Sequence, residues 1–242
     1  MPGTHTIKQT AGKFLNRILP FNEEAVNILR VEINAFMVRM GCYLNPYKIS
    51  KISRARKQED VSLNIGAGPF GEIGWVNIDL FKYKNITFTY DCRKHLPFKD
   101  QSVIRIRCEH FLEHLDRRSE ADNLLRNCYK CLKSGGILRI VVPHTPRYLE
   151  AYVKNTAEAW ATLDVTLPEF SEHWLPMDVL NHIFRQGGEH KFAYDVDTMK
   201  ISLREAGFSN IMVSEYGQSI DTLLRKDLVN HRYRSLYFDC VK

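Results

Sequence analysis

His110, Glu113 and His114 stand in the order H-x-x-E-H within "CEHFLEHL", residues 108–115. On one continuous helix the two histidines would share a face one turn apart, with the acid beside them, as in a metal-ligating pair. The neighbouring residues argue otherwise. "SVIRIRCE" (102–109) is a strand-like run, so His110 falls at the carboxyl end of a strand, and only Glu113 and His114 reach helix. The imidazoles then need not face each other, and the expectation is no metal. A second cluster is more telling. "GAGPFG" places Gly66, Gly68 and Gly71 in a G-x-G-x-x-G spacing, a weak signal alone. Only residues 66–74 separate the two flanking strands, and Pro69 and Gly74 interrupt them, which leaves about one helical turn. A pyrophosphate needs the N-terminus of a full helix and an acid ~20 residues on. Here Asp79 lies 11 residues beyond Gly68.

What remains is a bare glycine turn, Gly66, Ala67 and Gly68, beside Asp79 and Leu80 at the end of the next strand. Asp79 can accept both hydroxyls of a ribose. Asp91 closes a third strand, where its carboxylate can accept from an adenine amino group while the Cys92 N–H serves a ring nitrogen. Those groups describe a nucleoside without phosphates.

The elements that must position them read plainly. "VSLNIGAG" (61–68), "WVNIDL" (75–80), "ITFTYD" (86–91), "SVIRIRCE" (102–109) and "ILRIVVP" (137–143) are five strands. "SEADNLLRNCYKCLKSGG" (119–136) is a helix with Ser119 and Asp122 as its capping box and Gly135 as its stop. "DVDTMKISLREAG" (195–207) is a capped helix, and 208–217 and 234–242 form a closing strand pair. Strands alternating with helices imply an α/β fold with a mostly parallel sheet covered on both faces. Ahead of it, residues 22–41 make a helix capped by Asn22 and stopped at Gly41, with an apolar stripe of Val26, Leu29, Ile33, Phe36, Met37 and Met40. The stripe is expected to dock on the domain; a dimer or membrane contact is the sharper alternative. "YKISKISRARK" (47–57) is expected to be a basic linker. Two parts follow: 1–60 as a helical extension with that linker, and 61–242 as the main domain, with 144–194 as an aromatic-rich insertion on the substrate side.

Composition narrows the class. In 242 residues, 44% hydrophobic and 26% charged, no apolar run approaches the ~18–20 needed to span a bilayer. Six scattered cysteines are too few for a disulfide framework and point to a reducing compartment, so the expectation is cytoplasmic. Cys128 and Cys131 form a lone C-x-x-C without a second pair, read as two small apolar residues on a helix. The first 22 residues hold Lys8, Lys13 and Arg17 and no acid, so organelle targeting survives as the weaker alternative, weakened further by the scarcity of serine. Residues 1–60 carry ten Lys/Arg against five Asp/Glu. Nucleic acid is nonetheless disfavoured as a partner, because only Tyr47 could stack on a base there. Peripheral membrane contact and self-association stay open.

Taken in order, "LNIGAGP", "GWVNIDL", "DCRKHLPFKDQSV", "EHFLEHL", "LKSGGILRIVVP", "NHIFRQGGEHKFAYD", "LREAGF" and "SLYFDCVK" resemble the class I methyltransferases that use S-adenosylmethionine, in particular a bacterial group associated with glycans. The resemblance spans about 61–242 and implies a Rossmann-like seven-stranded fold with that cofactor. It also implies cofactor contacts at Gly66, Ala67, Gly68, Asp79, Leu80, Asp91, Cys92 and His110, with His110 bordering the sulfonium. Asn64 departs from the pattern, where an acid is common, as do the missing helix after the glycine turn and Arg105 and Arg107 in the fourth strand. The implied reaction is O-methylation of a glycan or small-molecule hydroxyl; a nucleic-acid methyltransferase and a non-catalytic binding protein are the rivals. A hydroxyl acceptor needs a base, and His110, His144 and His190 are the candidates. The insertion's Tyr148, Tyr152, Trp160, Phe170, Trp174, Phe184, Phe192 and Tyr194 could cover the acceptor or pack a small core of their own.

Overall fold

The computed structural model describes residues 22–165 and 175–242. Lys8, Lys13, Arg17, Phe170 and Trp174 fall outside that range. Seven strands form one sheet in the order β3-β2-β1-β4-β5-β7-β6: β1 (Val61–Ile65), β2 (Val76–Asp79), β3 (Phe88–Thr89), β4 (Val103–Glu109), β5 (Leu132–Pro143), β6 (Asn210–Ser214) and β7 (Ser235–Val241). β1 to β5 run parallel, and β7 lies antiparallel between β5 and β6. Helices cover both faces, so the central strands are apolar almost throughout; Leu63, Ile65, Ile78, Ile106, Leu138 and Ile140 are all fully buried. The sequence reversal of the sheet falls between β1 and β4, the place where an open α/β sheet leaves a crevice at the carboxyl ends of its strands.

Several local expectations change. The turn after β4 is capped by Asp116 rather than Ser119. Its carboxylate accepts the Ser119 N–H at 2.9 Å, and Glu120 Oε2 returns the favour by accepting the Asp116 N–H at 2.9 Å. A π-turn at Arg117–Ala121 absorbs the extra residue before the helix Asp122–Cys131. That helix ends at Cys131 because Leu132 already pairs with Val103 on β4.

At the amino end, α1 (Glu23–Leu44) runs past Gly41, and the basic stretch is a helix, α2 (Pro46–Lys57), not a linker. Asn45 caps α2 by accepting the Lys48 N–H, and Pro46 takes the first helical position. Its low apolar content hid it. α1 also docks by a different face from the one expected: Ala35 and Val38 are buried, whereas Leu29, Ile33, Phe36 and Met37 are 50–61% exposed. No helix among the described residues is long and apolar enough to cross a membrane.

The insertion contains α4 (Thr145–Lys154), α5 (Ala157–Ala161) and α6 (Pro176–Arg185). Here we number Asp122–Cys131 as α3 and Val196–Ala206 as α7. Tyr148 and Trp160 are buried with Leu163, Val165, Val179 and Leu180 in a second, smaller core. Of the segment's described aromatics, Tyr148, Tyr152 and Trp160 therefore pack the segment itself, Phe192 and Tyr194 pack with the main core, and Phe184 is exposed.

Candidate active site

A cavity of about 970 Å³ opens along the carboxyl rim from β3 to β4. Small-molecule sites run ~300–1,000 Å³, so this one has room for a cofactor and an acceptor together. It is lined by Gly66, Ala67, Gly68, Asp79, Leu80, Asp91, Cys92 and His110, the eight residues singled out from the sequence.

Gly66 is required twice over. Its φ is +65°, and an added Cβ would lie 2.4 Å from the Phe111 ring. Gly68 (φ +49°) is bare, with nothing within 4 Å of an added Cβ. Asp79 ties this turn to β2: Oδ2 accepts the Gly68 N–H at 2.9 Å and Oδ1 the Phe81 N–H at 2.7 Å. Burial raises its pKa, and those N–H bonds pull the other way. Each oxygen keeps a lone pair, so the carboxylate suits two vicinal hydroxyls. Asn64, where an acid was expected, is buried and knits the turn together by donating to Asn77 Oδ1 and the Phe70 carbonyl.

Asp91 is a correction. It lines the cavity, but its carboxylate is buried and already accepts from Arg39 Nε (2.7 Å), Arg93 Nε (2.9 Å), Arg93 Nη2 (3.1 Å) and the Arg93 N–H (3.2 Å). Burial alone would raise its pKa; the two guanidiniums outweigh it and hold the carboxyl below the usual range. With four donors in place it is not free for an adenine amino group. What Asp91 does instead is anchor α1. Arg39 reaches it from that helix, Glu32 pairs with Arg93, and Asn34 Nδ2 donates to the Leu80 carbonyl at 3.0 Å. Asn27, Ile28, Arg30, Val31 and Glu32 consequently form one wall of the cavity, a part that periodicity alone could not assign.

Among the three candidate bases the structure brings only His110 to the cavity. Its φ of +49° is a strained value for a residue with a side chain, costing roughly 1–3 kcal/mol. The strain is held by its surroundings: Nδ1 donates to Glu113 Oε1 at 3.1 Å, and Nε2 pairs with Ser235 Oγ at 3.0 Å. His144 lies off the cavity as the N-cap of α4, its ring accepting the Arg147 N–H. His190 stands behind His114, with its Nδ1 2.6 Å from the Ile183 carbonyl. Of the insertion's described residues, only Gly188, Glu189 and Lys191 reach the cavity.

Sequence reasoning missed two groups on the same rim. His231 lines the cavity with its ring centroid 4.0 Å from that of His110. Burial, then the charges of His110 and Arg234, push its pKa down to about 4. Glu109 ends β4 with one oxygen accepting the Leu228 N–H at 2.9 Å, and burial raises its pKa. Glu109 was adjacent to a motif and could have been found; His231 sits in an unpatterned stretch 121 residues from its neighbour.

His144 is likewise pushed to about 4, mainly by burial. Both rings thus titrate below the ~6.5 of an unfolded histidine. Between pH 6.5 and about 4 the unfolded chain binds more protons than the native one, so stability falls with falling pH in that window. Urea midpoints at pH 7 and pH 5 should differ accordingly, and His144→Gln should narrow the difference.

The sheet order, the glycine turn and an acid on the rim of the second strand define a Rossmann-like fold of the class I methyltransferase kind. Residues 78–140 match the family described as a methyltransferase domain. Over that stretch, about a quarter of its length, the chain is similar to methyltransferase domains. Similar solved structures include a SAM-dependent methyltransferase from Archaeoglobus fulgidus (15% identity, 81% of this chain and 92% of that one, TM-score 0.46). Another, from Mesorhizobium loti, shows 14% identity over 81% of this chain and 97% of that one, with a TM-score of 0.45. A third is phosphoethanolamine N-methyltransferase 2 from Haemonchus contortus, in complex with S-adenosyl-L-methionine: 16% identity, 80% and 51% covered, TM-score 0.42. No curated protein sequence matches the chain.

The residues present fit that cofactor at its ribose. The bare turn at Gly68 leaves space beside Asp79, whose two half-satisfied oxygens match a diol.

Proposed function

We propose that the enzyme methylates a hydroxyl oxygen of a glycan or small molecule. The observation that supports this is the cluster on the β4 side of the cavity, where Glu109, His110 and His231 converge about two strand spacings, ~10 Å, from Asp79. S-adenosylmethionine, when bound, supplies a methyl group already activated on a sulfonium. The chain's own task is then to align an oxygen with it, keep water out and take one proton.

Asp79 and the turn Gly66, Ala67 and Gly68 hold the nucleoside; Leu80 and Cys92 border it. His231 is neutral near pH 7 and offers a lone pair to the cavity. As the acceptor's O–H bond breaks, its proton passes to His231, with Glu109 as the neighbouring carboxyl. Transfer of that methyl to the oxygen would leave an ether on the acceptor and a neutral thioether on the cofactor. His110, with both ring nitrogens engaged, positions His231 by stacking.

The basic patch of α2 gives the nucleic-acid reading little support. Lys48 and Lys51 spend their ammonium groups on the Val38 and Thr87 carbonyls, and Arg54, Arg56 and Lys57 occupy the helix's last turn, where cations suit its dipole.

The test is transfer of labelled methyl from S-adenosylmethionine into hydroxyl-bearing acceptors, with the product treated with mild alkali. An alkali-stable ether is expected, and His231→Ala should lower turnover by ~10²-fold or more while cofactor affinity holds. Label appearing on amines, on nucleic acid or as an alkali-labile ester would overturn the hydroxyl assignment.

A further inference from the structure

We propose that Glu113, His114 and His190 form a binding site for a first-row divalent metal ion, opening onto the cavity beside His110. Each residue offers one ligand atom, and the three atoms lie within 4.8 Å of one another. The trio differs from the one suggested by the H-x-x-E-H spacing, because the strand end at His110 turns that ring away and the fold brings His190 in from 76 residues beyond His114. It also reverses the expectation of no metal.

The proton positions make these groups ligands. His114 Nδ1 is 3.2 Å from the Glu189 carbonyl and His190 Nδ1 2.6 Å from the Ile183 carbonyl. A carbonyl oxygen only accepts, so in both rings Nδ1 carries the proton and Nε2 is left with a lone pair. The rings meet edge to face, centroids 4.9 Å apart. An imidazole whose other nitrogen donates to a backbone carbonyl is the usual form of a metal-bound histidine, since that bond fixes the tautomer and the ring plane.

Glu113 supplies the independent observation. Its side chain is 2% exposed, one oxygen accepts from His110, and the other, Oε2, has no hydrogen-bond partner among the described residues. An ordinary His–Glu ion pair would place an N–H of His114 on that oxygen, and no such bond is present. An unpartnered buried carboxylate oxygen is costly, and a cation shared with two imidazoles removes the cost. The frame is already braced: the Lys191 and Phe192 N–H groups both donate to the Glu113 carbonyl, at 2.7 and 3.2 Å, fixing the strand of chain that carries His190 against the turn that carries Glu113 and His114.

Metal–ligand bonds of ~2.0–2.2 Å place neighbouring ligand atoms roughly 3.3–3.6 Å apart in a tetrahedron, so small side-chain rotations close the site. Two imidazoles and a carboxylate favour zinc, cobalt, manganese or iron(II) over magnesium or calcium. Three protein ligands leave a position open, and His114 lines the cavity, so that position faces an acceptor. Use of the ion to hold and acidify an acceptor hydroxyl rests on the O-methylation reading; the site itself does not.

The full-length protein, stripped with chelator, is titrated with Co2+ by calorimetry and visible absorption, with Zn2+ as competitor. S-adenosylhomocysteine binding is measured in parallel. One equivalent of Co2+ is expected, with ligand-field bands that Zn2+ bleaches. His190→Ala and His114→Ala should each weaken binding beyond the ~10–100-fold that losing an outer partner costs, and His110→Ala should fall within that range. Unchanged S-adenosylhomocysteine affinity in His190→Ala shows that the variant is folded. Absence of a saturable Co2+ site in the wild type, or wild-type Co2+ affinity in both histidine variants, would overturn the site. A metal-loaded enzyme that methylates no hydroxyl would leave the site standing and remove only the substrate assignment.

Discussion

Asp79→Ala should weaken S-adenosylmethionine and S-adenosylhomocysteine alike by ~100-fold or more in calorimetry. Two hydroxyls donating to a carboxylate are worth ~1.5–3 kcal/mol each, and 100-fold is about 2.7 kcal/mol. The substitution also frees the Gly68 and Phe81 N–H groups that the carboxylate now fixes, so the glycine turn loses its tie to β2. Asp79→Asn keeps the shape, retains one accepting oxygen and should lose less. Because burial raises the Asp79 pKa, affinity should also decline on acidification sooner than for an ordinary aspartate, as the protonated acid gives up an acceptor. Equal affinity in wild type and Asp79→Ala would remove the nucleoside from this rim.

The largest stability effect is expected at Arg139. This arginine of β5 is fully buried and makes six hydrogen bonds: two to Asp227, one to Asp239 on the neighbouring β7, and others to Ser214 Oγ and the Glu215 and Gln218 carbonyls. Arg139→Ala leaves two buried carboxylates without their cation, and breaking such a network costs about 3–5 kcal/mol. For a chain of this size that corresponds to a Tm lower by ~6–20 °C. The network also sets the 215–228 segment, which delivers Lys226 and Leu228 to the cavity and the Leu228 N–H to Glu109. Denaturant unfolding of Arg139→Ala, Asp227→Ala and the double variant should show strong non-additivity; additive losses would mean that the two residues act separately.

The parts of this molecule legible from the sequence were those set by local chemistry. The glycine turn, Asp79 at the end of β2 and the alternation of strands and helices all follow from spacing along a few residues. Arg139 could have been noticed as a charge inside the apolar run "ILRIVVP", though its partners lie 88 and 100 residues away. α2 was misread because a helix so rich in Lys and Arg shows no apolar face. Asp91 was placed correctly on the rim yet given the wrong company: nothing near it in the sequence announces Arg39, 52 residues earlier, which occupies its carboxylate. His231 and the pairing of His114 with His190 depend on tertiary proximity that periodicity does not encode.

α1 and α2 precede the sheet in the chain, but the wall of the cavity is built across that division. A fragment starting at Val61 would retain all seven strands and still lack the Asn34 amide on Leu80, the Arg39 guanidinium on Asp91 and the carboxylate of Glu32 on Arg93. Such a fragment would carry an uncovered acid beside an opened groove. Grafting or trimming this chain at the apparent module boundary would therefore open the cavity before it sacrificed the fold.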